Sequence, residues 1–419
     1  MKIIHTADLH LGQIIYQHYD RVDEHEHFFS QLSDLCRREK PDALVVSGDI
    51  FDIQQPSAAT RRWFTEHFVS LSQSCPEMTV VITAGNHDSA SRLEADSSLW
   101  RLANTRIVGM SPSPDLSDSE NGWQERYIVR LSGGFIIALP YLSSPRPEMI
   151  QSILDYVGRL NGEGLPVIMS AHQAVTGMDA TGHDFEIGTI KTLDLASMGL
   201  GYDYLALGHI HKPQTLGHKD SEWDATAVLE APVARYSGSA IHVSCDECYP
   251  HSVTIVDIGK HGDTVTVRQE RIRQLRHFFT LPIDGSSYKS AEEALEGVKQ
   301  FAEEQKSGYI RLRIDYLSLL PADFNQSVYD ILSPYGEEMR YNPKIIWTGR
   351  DEAQEKEESR QLFDIADFQE MRNPLEFIEK TIDQYPGLDM GQIVSAFKEI
   401  EEEVTRLSEL SGPQKSKLS

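Results

Sequence analysis

Five polar clusters, each placed directly after a short run of branched apolar residues, constrain this chain more than any other feature. Residues 2–7 lead into Asp8-Leu9-His10, and residues 43–47 into Gly48-Asp49-Ile50-Phe51-Asp52. Residues 79–83 lead into Gly85-Asn86-His87-Asp88, 167–170 into His172, and 204–207 into Gly208-His209-Ile210-His211. Such short runs, rich in Val, Ile and Leu, read as buried strands, as does 135–139. Between the first three lie amphipathic stretches. In 24–39, Phe28, Phe29, Leu32, Leu35 and Cys36 share one helical face; in 60–72, Trp63, Phe64, Phe68 and Leu71 do the same. This alternation predicts an α/β fold with helices outside the sheet. Open sheets of this kind hold their sites at the carboxyl ends of the strands, so the clusters would converge on one rim.

Together, Asp8, His10, Asp49, Asn86, His172, His209 and His211 offer oxygen and nitrogen donors without a thiolate. That set suits manganese, iron or zinc better than magnesium or calcium. Seven donors are too many for one ion and right for two sharing a carboxylate. Two ions about 3.5–4 Å apart can clamp an in-line phosphoryl displacement and make a water acidic near neutral pH. Taken singly, each piece is ordinary. D-x-H arises by chance, a buried His172 can simply satisfy hydrogen bonds, and Gly48-Asp49 can be a turn. The ordered set, each member at a strand end, carries the reading. The glycines before Asp49, Asn86 and His209 predict sharp backbone bends there.

The chain has 419 residues, enough for a main domain and smaller units, with a globular 40% hydrophobic and 25% charged residues. It has no apolar run of about 18 residues. The first residues show no signal core, so a cytoplasmic location is expected, with no membrane contact. Four cysteines are too few for a disulfide scaffold, and Cys245-Asp246-Glu247-Cys248 is half a zinc site without its second pair; two plain thiols are expected. The net charge of −25 opposes a broadly basic nucleic-acid footprint. Much of it sits in 351–410, where 6 Lys/Arg face 17 Asp/Glu.

The expected division is 1–268 for the α/β domain and 269–347 for a small α+β unit. In the latter, 292–303 and 322–332 read as helices, and 309–315 and 344–347 as strands. Residues 348–360 form a polar linker. Residues 361–410 read as helical, with Asn373-Pro374 as a helix start and an apolar stripe from Met390 to Leu407. Residues 411–419 read as a frayed, disordered tail. An amphipathic segment beyond a linker either folds back or seeks another protein, with Phe377, Ile378, Phe397 and Ile400 as its anchors.

The series D-x-H, G-D-x-x-D, G-N-H-D, H and G-H-x-H resembles the calcineurin-like metallophosphoesterase superfamily. The resemblance implies a four-layer sandwich, two mixed sheets flanked by helices, with a small α+β capping domain and C-terminal helices. It implies that Asp8, His10, Asp49 and His211 hold one metal, and that Asp49 (bridging), Asn86, His172 and His209 hold the other. His87 would face the scissile phosphate and serve the leaving oxygen, with Asp88 orienting its ring. Protein serine/threonine phosphatases differ, carrying G-N-H-E where this chain has Asp88.

Residues 5–12 (HTADLHLG), Gly48–Asp52, Tyr236-Ser237-Gly238-Ser239 and Val243-Ser244-Cys245-Asp246-Glu247 look narrower still. They resemble the SbcD-like family of bacterial nuclease subunits, except that an aromatic residue usually stands where Cys245 is. That family implies two Mn2+ ions and DNA as substrate, cut as a 3'-5' double-strand exonuclease and a single-strand and hairpin endonuclease. It implies a homodimer joined to two copies of SbcC, an ATPase with coiled-coil arms, working in DNA end processing, repair, recombination and replication. Candidate DNA contacts are Tyr16, His18, Tyr19 and Arg21 after the first motif, and Arg268, Arg271, Arg273 and Arg276 where the capping domain begins. The alternatives are a phosphodiesterase or nucleotidase for small substrates, which fits the acidic charge, and a catalytically silent scaffold. Loss of a ligand or of His87 would mark the scaffold, and none is lost.

Overall fold

A computed structural model describes residues 1–16, 18–112, 123–182, 192–218, 226–315 and 320–349. Seven strands form a first sheet, in the order Thr226–Leu229, Val265–Arg271, Ser252–Ile258, Lys2–Thr6, Ala43–Ser47, Thr79–Thr83 and Thr105–Val108. The last four run parallel, and Ser252–Ile258 runs antiparallel to Lys2–Thr6. A second sheet has six strands, in the order Gln214–Thr215, Val233–Tyr236, Tyr204–Gly208, Val167–His172, Gly134–Ala138 and Ile128–Leu131. Its four central strands are parallel. Both sheets are therefore mixed.

Period-two alternation sorts the first sheet's side chains. Ile3, Val45 and Val81 join one core with Phe135, Met169 and Leu207 of the second sheet. Their neighbours Ile4, Leu44 and Val80 face the other way, against Phe28, Leu32, Phe64 and Phe68 of the helices Val22–Glu39 and Ala58–Ser74. Each such side chain stabilises the fold by about 1.5–3 kcal/mol when fully buried. The helix Pro147–Leu160, not among the predicted elements, adds Ile150, Ile153 and Val157 to the second sheet's core. The result is helix, sheet, sheet, helix.

The chain leaves the first sheet after Arg271 and enters a small one at Phe278. This third sheet orders Phe278–Leu281, Gly308–Asp315 and Met339–Thr348. The helices Ala291–Gln305 and Phe324–Leu332 supply its own core, where Val298, Phe301 and Val328 meet Leu281, Ile310, Leu312 and Tyr341. Its last strand starts earlier than the predicted 344, because Arg340 and Asn342, polar residues that interrupt the apolar run, are buried there.

Residues 1–314 and 318–346 form one compact unit; 315–317 and 347–419 belong to a second. Nearly all of the second unit lies outside the described residues. The predicted helices of 361–410, the tail 411–419 and the anchors Phe377, Ile378, Phe397 and Ile400 all fall there, as does the linker beyond residue 349.

Candidate metal centre

The parallel strands of both sheets end on one rim, and all seven predicted donors meet there. Asp8, His10 and His211 place ligand atoms within 4.8 Å of one another, and so do Asp49, His172 and His209. Asn86 Oδ1 lies 3.0 Å from His172 Nε2 and 3.0 Å from His209 Nδ1. Asp49 Oδ2 lies 3.3 Å from His172 Nε2 and 3.9 Å from His10 Nε2, so it stands between the two groups.

Local backbone geometry explains why the sequence folds this way. Asp8, His10, Asp49 and His209 have φ of 54°, 45°, 48° and 93°, a left-handed region uncommon for such residues. Strain of this kind clusters at functional sites. The first two loops are tied together, with Leu9 N donating to Asp49 O at 2.8 Å. Of the three glycines expected to bend the chain, only Gly48 has a positive φ, 87°. The bends instead fall on Asp49 and His209 themselves. Gly85 and Gly208 serve close approach: a Cβ there would sit 2.1 Å from Asp49 Oδ1 and 1.9 Å from Ser47 O.

The imidazoles are oriented from behind. His172 Nδ1 donates to Ser47 O at 2.8 Å, which turns Nε2 into the rim. There it meets Asn86 Oδ1 at 3.0 Å and Asp49 Oδ2 at 3.3 Å, so its proton stands where a cation held by the same three groups would sit. His10 Nδ1 is 3.2 Å from Asp52 Oδ1, and its Nε2 is buried with no hydrogen-bond partner. His211 Nδ1 is 2.7 Å from Glu247 Oε1. The donor set, its tautomers and this orphaned nitrogen fit two divalent cations.

Electrostatics agree. Burial pushes Asp8 up to about 7. Burial would also raise Asp49, but His172 and His10 hold it well below the usual carboxylate range. Burial would lower His172, yet the Asp49 and Asp8 carboxylates push it up to about 9. Burial drives His211 well below its ordinary value, with His10 adding to the effect. Each group's charge thus depends on its neighbours, as in sites built to receive metal.

His87 sits at the exposed edge of the cluster, its ring centroid 5.0 Å from that of His10. Its Nδ1 is 2.7 Å from Asp52 O, and its backbone N donates to Asp49 Oδ1 at 2.9 Å. The expected role of Asp88 is corrected here. Its carboxylate accepts from the backbone N–H groups of Ile50, Phe51 and Gly85, at 3.1, 2.9 and 2.8 Å, and so braces the second and third loops. Asp52 orients both His87 and His10 instead. Asp52 and Glu247 were missed as site residues, although both stand in the quoted motifs.

The cluster opens into a cavity of about 650 Å3, walled opposite by Tyr16, Phe278, Arg311, Asn342 and Lys344. Of the predicted DNA contacts, Tyr16 lines this cavity and His18 is exposed. Arg271 and Arg273 are exposed but line a neighbouring cavity of about 640 Å3, which shares Cys245 and Phe278 with the first. Arg21 is overturned as a substrate contact: it is 2% exposed and donates to Glu24 Oε2 at 2.7 Å. Arg276 is likewise buried, and Arg268 is paired with Glu39 and Glu270. Cys245 is less plain than predicted. Its sulfur lies 3.1 Å from Arg311 Nη1 on the cavity wall.

A second buried group, His242, Glu247 and His251, also has metal-like spacing. Its hydrogen bonds close without an ion. His251 Nδ1 donates to Ser239 O and its Nε2 accepts from His242 Nδ1 at 3.0 Å, while Glu247 takes His211 and Val243 N.

This rim, with two sheets delivering carboxylates, imidazoles and an amide from five strand ends, defines a metallophosphoesterase. Residues 1–213 match the calcineurin-like phosphoesterase family, and the chain belongs to it. Within it the chain is similar to SbcD of Escherichia coli K12, named as part of the nuclease SbcCD, at 28% identity over 61% of this chain and 65% of that protein. It is similar to the proteins of the same name from Bacillus subtilis (28%, covering 64% and 68%) and from Rhodobacter capsulatus (27%, covering 62% and 66%). The match thus spans about two thirds of these curated relatives' length. A solved dimetal phosphatase from Danio rerio superposes loosely, with a TM-score of 0.30 and 12% identity over 64% of this chain and 99% of that one.

Proposed function

We propose that the chain is a two-metal phosphodiesterase acting on DNA, the nuclease component of an SbcCD-type complex. The carrying observation is the rim itself: seven donors oriented toward two cation positions, with His87 at the open side. Asp8, His10, Asp49 and His211 would hold one ion, and Asp49, Asn86, His172 and His209 the other. Two divalent cations there would supply charge against the phosphate and acidify the attacking water. The donor set favours Mn2+ among the ions that accept oxygen and nitrogen together. His87, its Nδ1 held by Asp52 O, presents Nε2 to the cavity and protonates the leaving oxygen. Glu247 and Asp52 hold His211 and His10 in the tautomers that turn Nε2 inward.

DNA as substrate is supported by the wall facing the cluster, where Arg311 and Lys344 suit phosphates and Tyr16 and Phe278 suit bases. It is supported too by the relatives' name. That name also carries the SbcC partner, which residues 361–410 would bind through Phe377, Ile378, Phe397 and Ile400. A homodimer is part of the same reading, and the oligomeric state in solution checks it. Among the described residues no helix is long and apolar enough to cross a membrane.

The test is an assay of the purified protein with Mn2+ on a linear duplex, a DNA hairpin and a small chromogenic phosphodiester. Cleavage of the DNAs is expected. Turnover of the small diester alone would replace this reading with a small-substrate phosphodiesterase. Removing residues 360–419 should abolish SbcC binding and leave metal-dependent basal cleavage, since every proposed ligand precedes residue 212.

A further inference from the structure

The small three-stranded sheet supplies one wall of the catalytic cavity, and its contacts with the α/β domain include one buried carboxylate. Glu24, near the start of the helix Val22–Glu39, is 3% exposed. Three guanidinium groups surround it, those of Arg21, Arg276 and Arg340, which are 2%, 3% and 3% exposed. Arg276 Nη1 lies 3.4 Å and Arg340 Nη1 3.7 Å from Glu24 Oε1. The Tyr309 hydroxyl donates to the same oxygen at 2.6 Å and accepts from Arg340 Nη1 at 2.7 Å. The other carboxylates that pair with these arginines, Asp23, Glu337 and Glu338, are 43%, 77% and 58% exposed and screened by water.

Tyr309 and Arg340 belong to the small sheet, and strand periodicity links them to the cavity. Residues two apart share a face. Tyr309 therefore shares a face with Arg311, and Arg340 with Asn342 and Lys344, all three of which line the cavity. The alternate residues Ile310, Leu312 and Tyr341 fill the small sheet's own core. Tyr309 also stacks on Phe278, another cavity residue, with centroids 4.4 Å apart and planes at 9°. One end of this face is thus clamped on Glu24, and the other end forms the substrate wall.

We propose that Glu24 is a positioning residue that fixes the distance between the metal rim and the wall of Arg311, Asn342 and Lys344. It thereby governs the use of long substrates that touch both sides. The inference rests on the phosphodiesterase reading above. Without Glu24, three buried guanidinium groups lose their buried countercharge and repel. The wall then moves off, while the metal rim, built from other strands, stays.

The test compares wild type, Glu24→Gln and Tyr309→Phe in the full chain with Mn2+. Tyr309→Phe removes only the clamp hydrogen bonds, keeps the ring stack and guards against misfolding of the first variant. Read-outs are kcat and KM on a duplex and on a small chromogenic diester, with hydrogen exchange of residues 278–281 and 308–314. The expected result is a loss of about 10²-fold in kcat/KM on the duplex for Glu24→Gln, the scale of a displaced positioning group. Turnover of the small diester should stay within about twofold, and exchange should rise in the small sheet but not in residues 43–47. Tyr309→Phe should shift the same quantities less. Parallel loss on both substrates, or unchanged exchange in the small sheet in both variants, would overturn the proposal. Should wild type cleave only the small diester, the DNA reading fails alone; the clamp is then judged by exchange, which must still rise locally.

Discussion

The metal rim and the Glu24 cluster open and close one stretch of chain, residues 8–24, and both bury several charges. They are neutralised in opposite ways. At the rim, Asp8 and Asp49 form ion pairs only with imidazoles among the described residues, and His10 Nε2 is buried without a hydrogen-bond partner. Around Glu24, every buried carboxylate oxygen meets a donor, and the surplus positive charge is answered by half-exposed acids. At the rim the positive charge comes from imidazoles, whose place a metal can take; around Glu24 it comes from guanidinium groups that stay charged. Buried charge alone therefore does not mark a site; the kind of group that neutralises it does.

Asp49→Ala should break the comparison most severely. As the carboxylate between the two donor groups, its removal should take bound metal from two ions per chain toward none and abolish activity. His10→Ala should weaken mainly one site. Elemental analysis decides this, and two ions retained in Asp49→Ala would place the bridge elsewhere. His87→Ala comes next. It should keep both ions yet lose about 10²–10⁴-fold in rate, the range for a proton-transfer group. Near-wild-type cleavage would remove His87 from the chemistry.

Glu247→Gln probes the bracing of His211 and should weaken metal binding by about 10–100-fold, as loss of a ligand's orienting carboxylate does. A metal titration reads it. An unchanged affinity would make Glu247 a packing residue. A smaller effect concerns His5, held near Tyr204 and pushed down to about 3 by burial, with Arg235 adding to the effect. Its folded value is below the unfolded value of about 6.5, so the unfolded chain binds the extra proton. The stability that neutral His5 contributes is complete above about pH 6.5 and is lost as pH falls toward 3. Urea midpoints should therefore fall less steeply over that window in His5→Gln than in wild type, and equal slopes would refute this. The smallest effect is expected from changing Cys245 and Cys248 together to Ser, which should leave metal content unaltered because no sulfur joins the rim.

The rim was legible in the sequence because it is local: each donor follows its strand by a few residues, and strand ends of a parallel sheet converge. The roles of Asp88 and Arg21 were not legible. Asp88 stands beside His87 in the chain, but its partners are the N–H groups of Ile50 and Phe51, brought near only by the fold. Arg21 reads as a free loop cation until Glu24 is seen one helical turn away, buried beneath the small sheet. The helix Pro147–Leu160 shows the same limit for the fold. It has a clear apolar face, yet it lies in a stretch where no motif directs attention.

The origin of the donors has a consequence for unfolding. Each proposed ion would take ligands from both large sheets: Asp8, His10 and Asp49 against His211, and Asp49 and Asn86 against His172 and His209. An ion at either position would act as a rivet across the sandwich, joining residues as far apart in the chain as Asp8 and His211. Because the unfolded chain cannot assemble such a set, binding favours the folded state by mass action, by about 2.7 kcal/mol per ion at one hundred times its dissociation constant. Chelation should then do more than silence the enzyme. It should let the two halves of the sandwich part at a lower temperature, with the midpoint rising again as Mn2+ is returned.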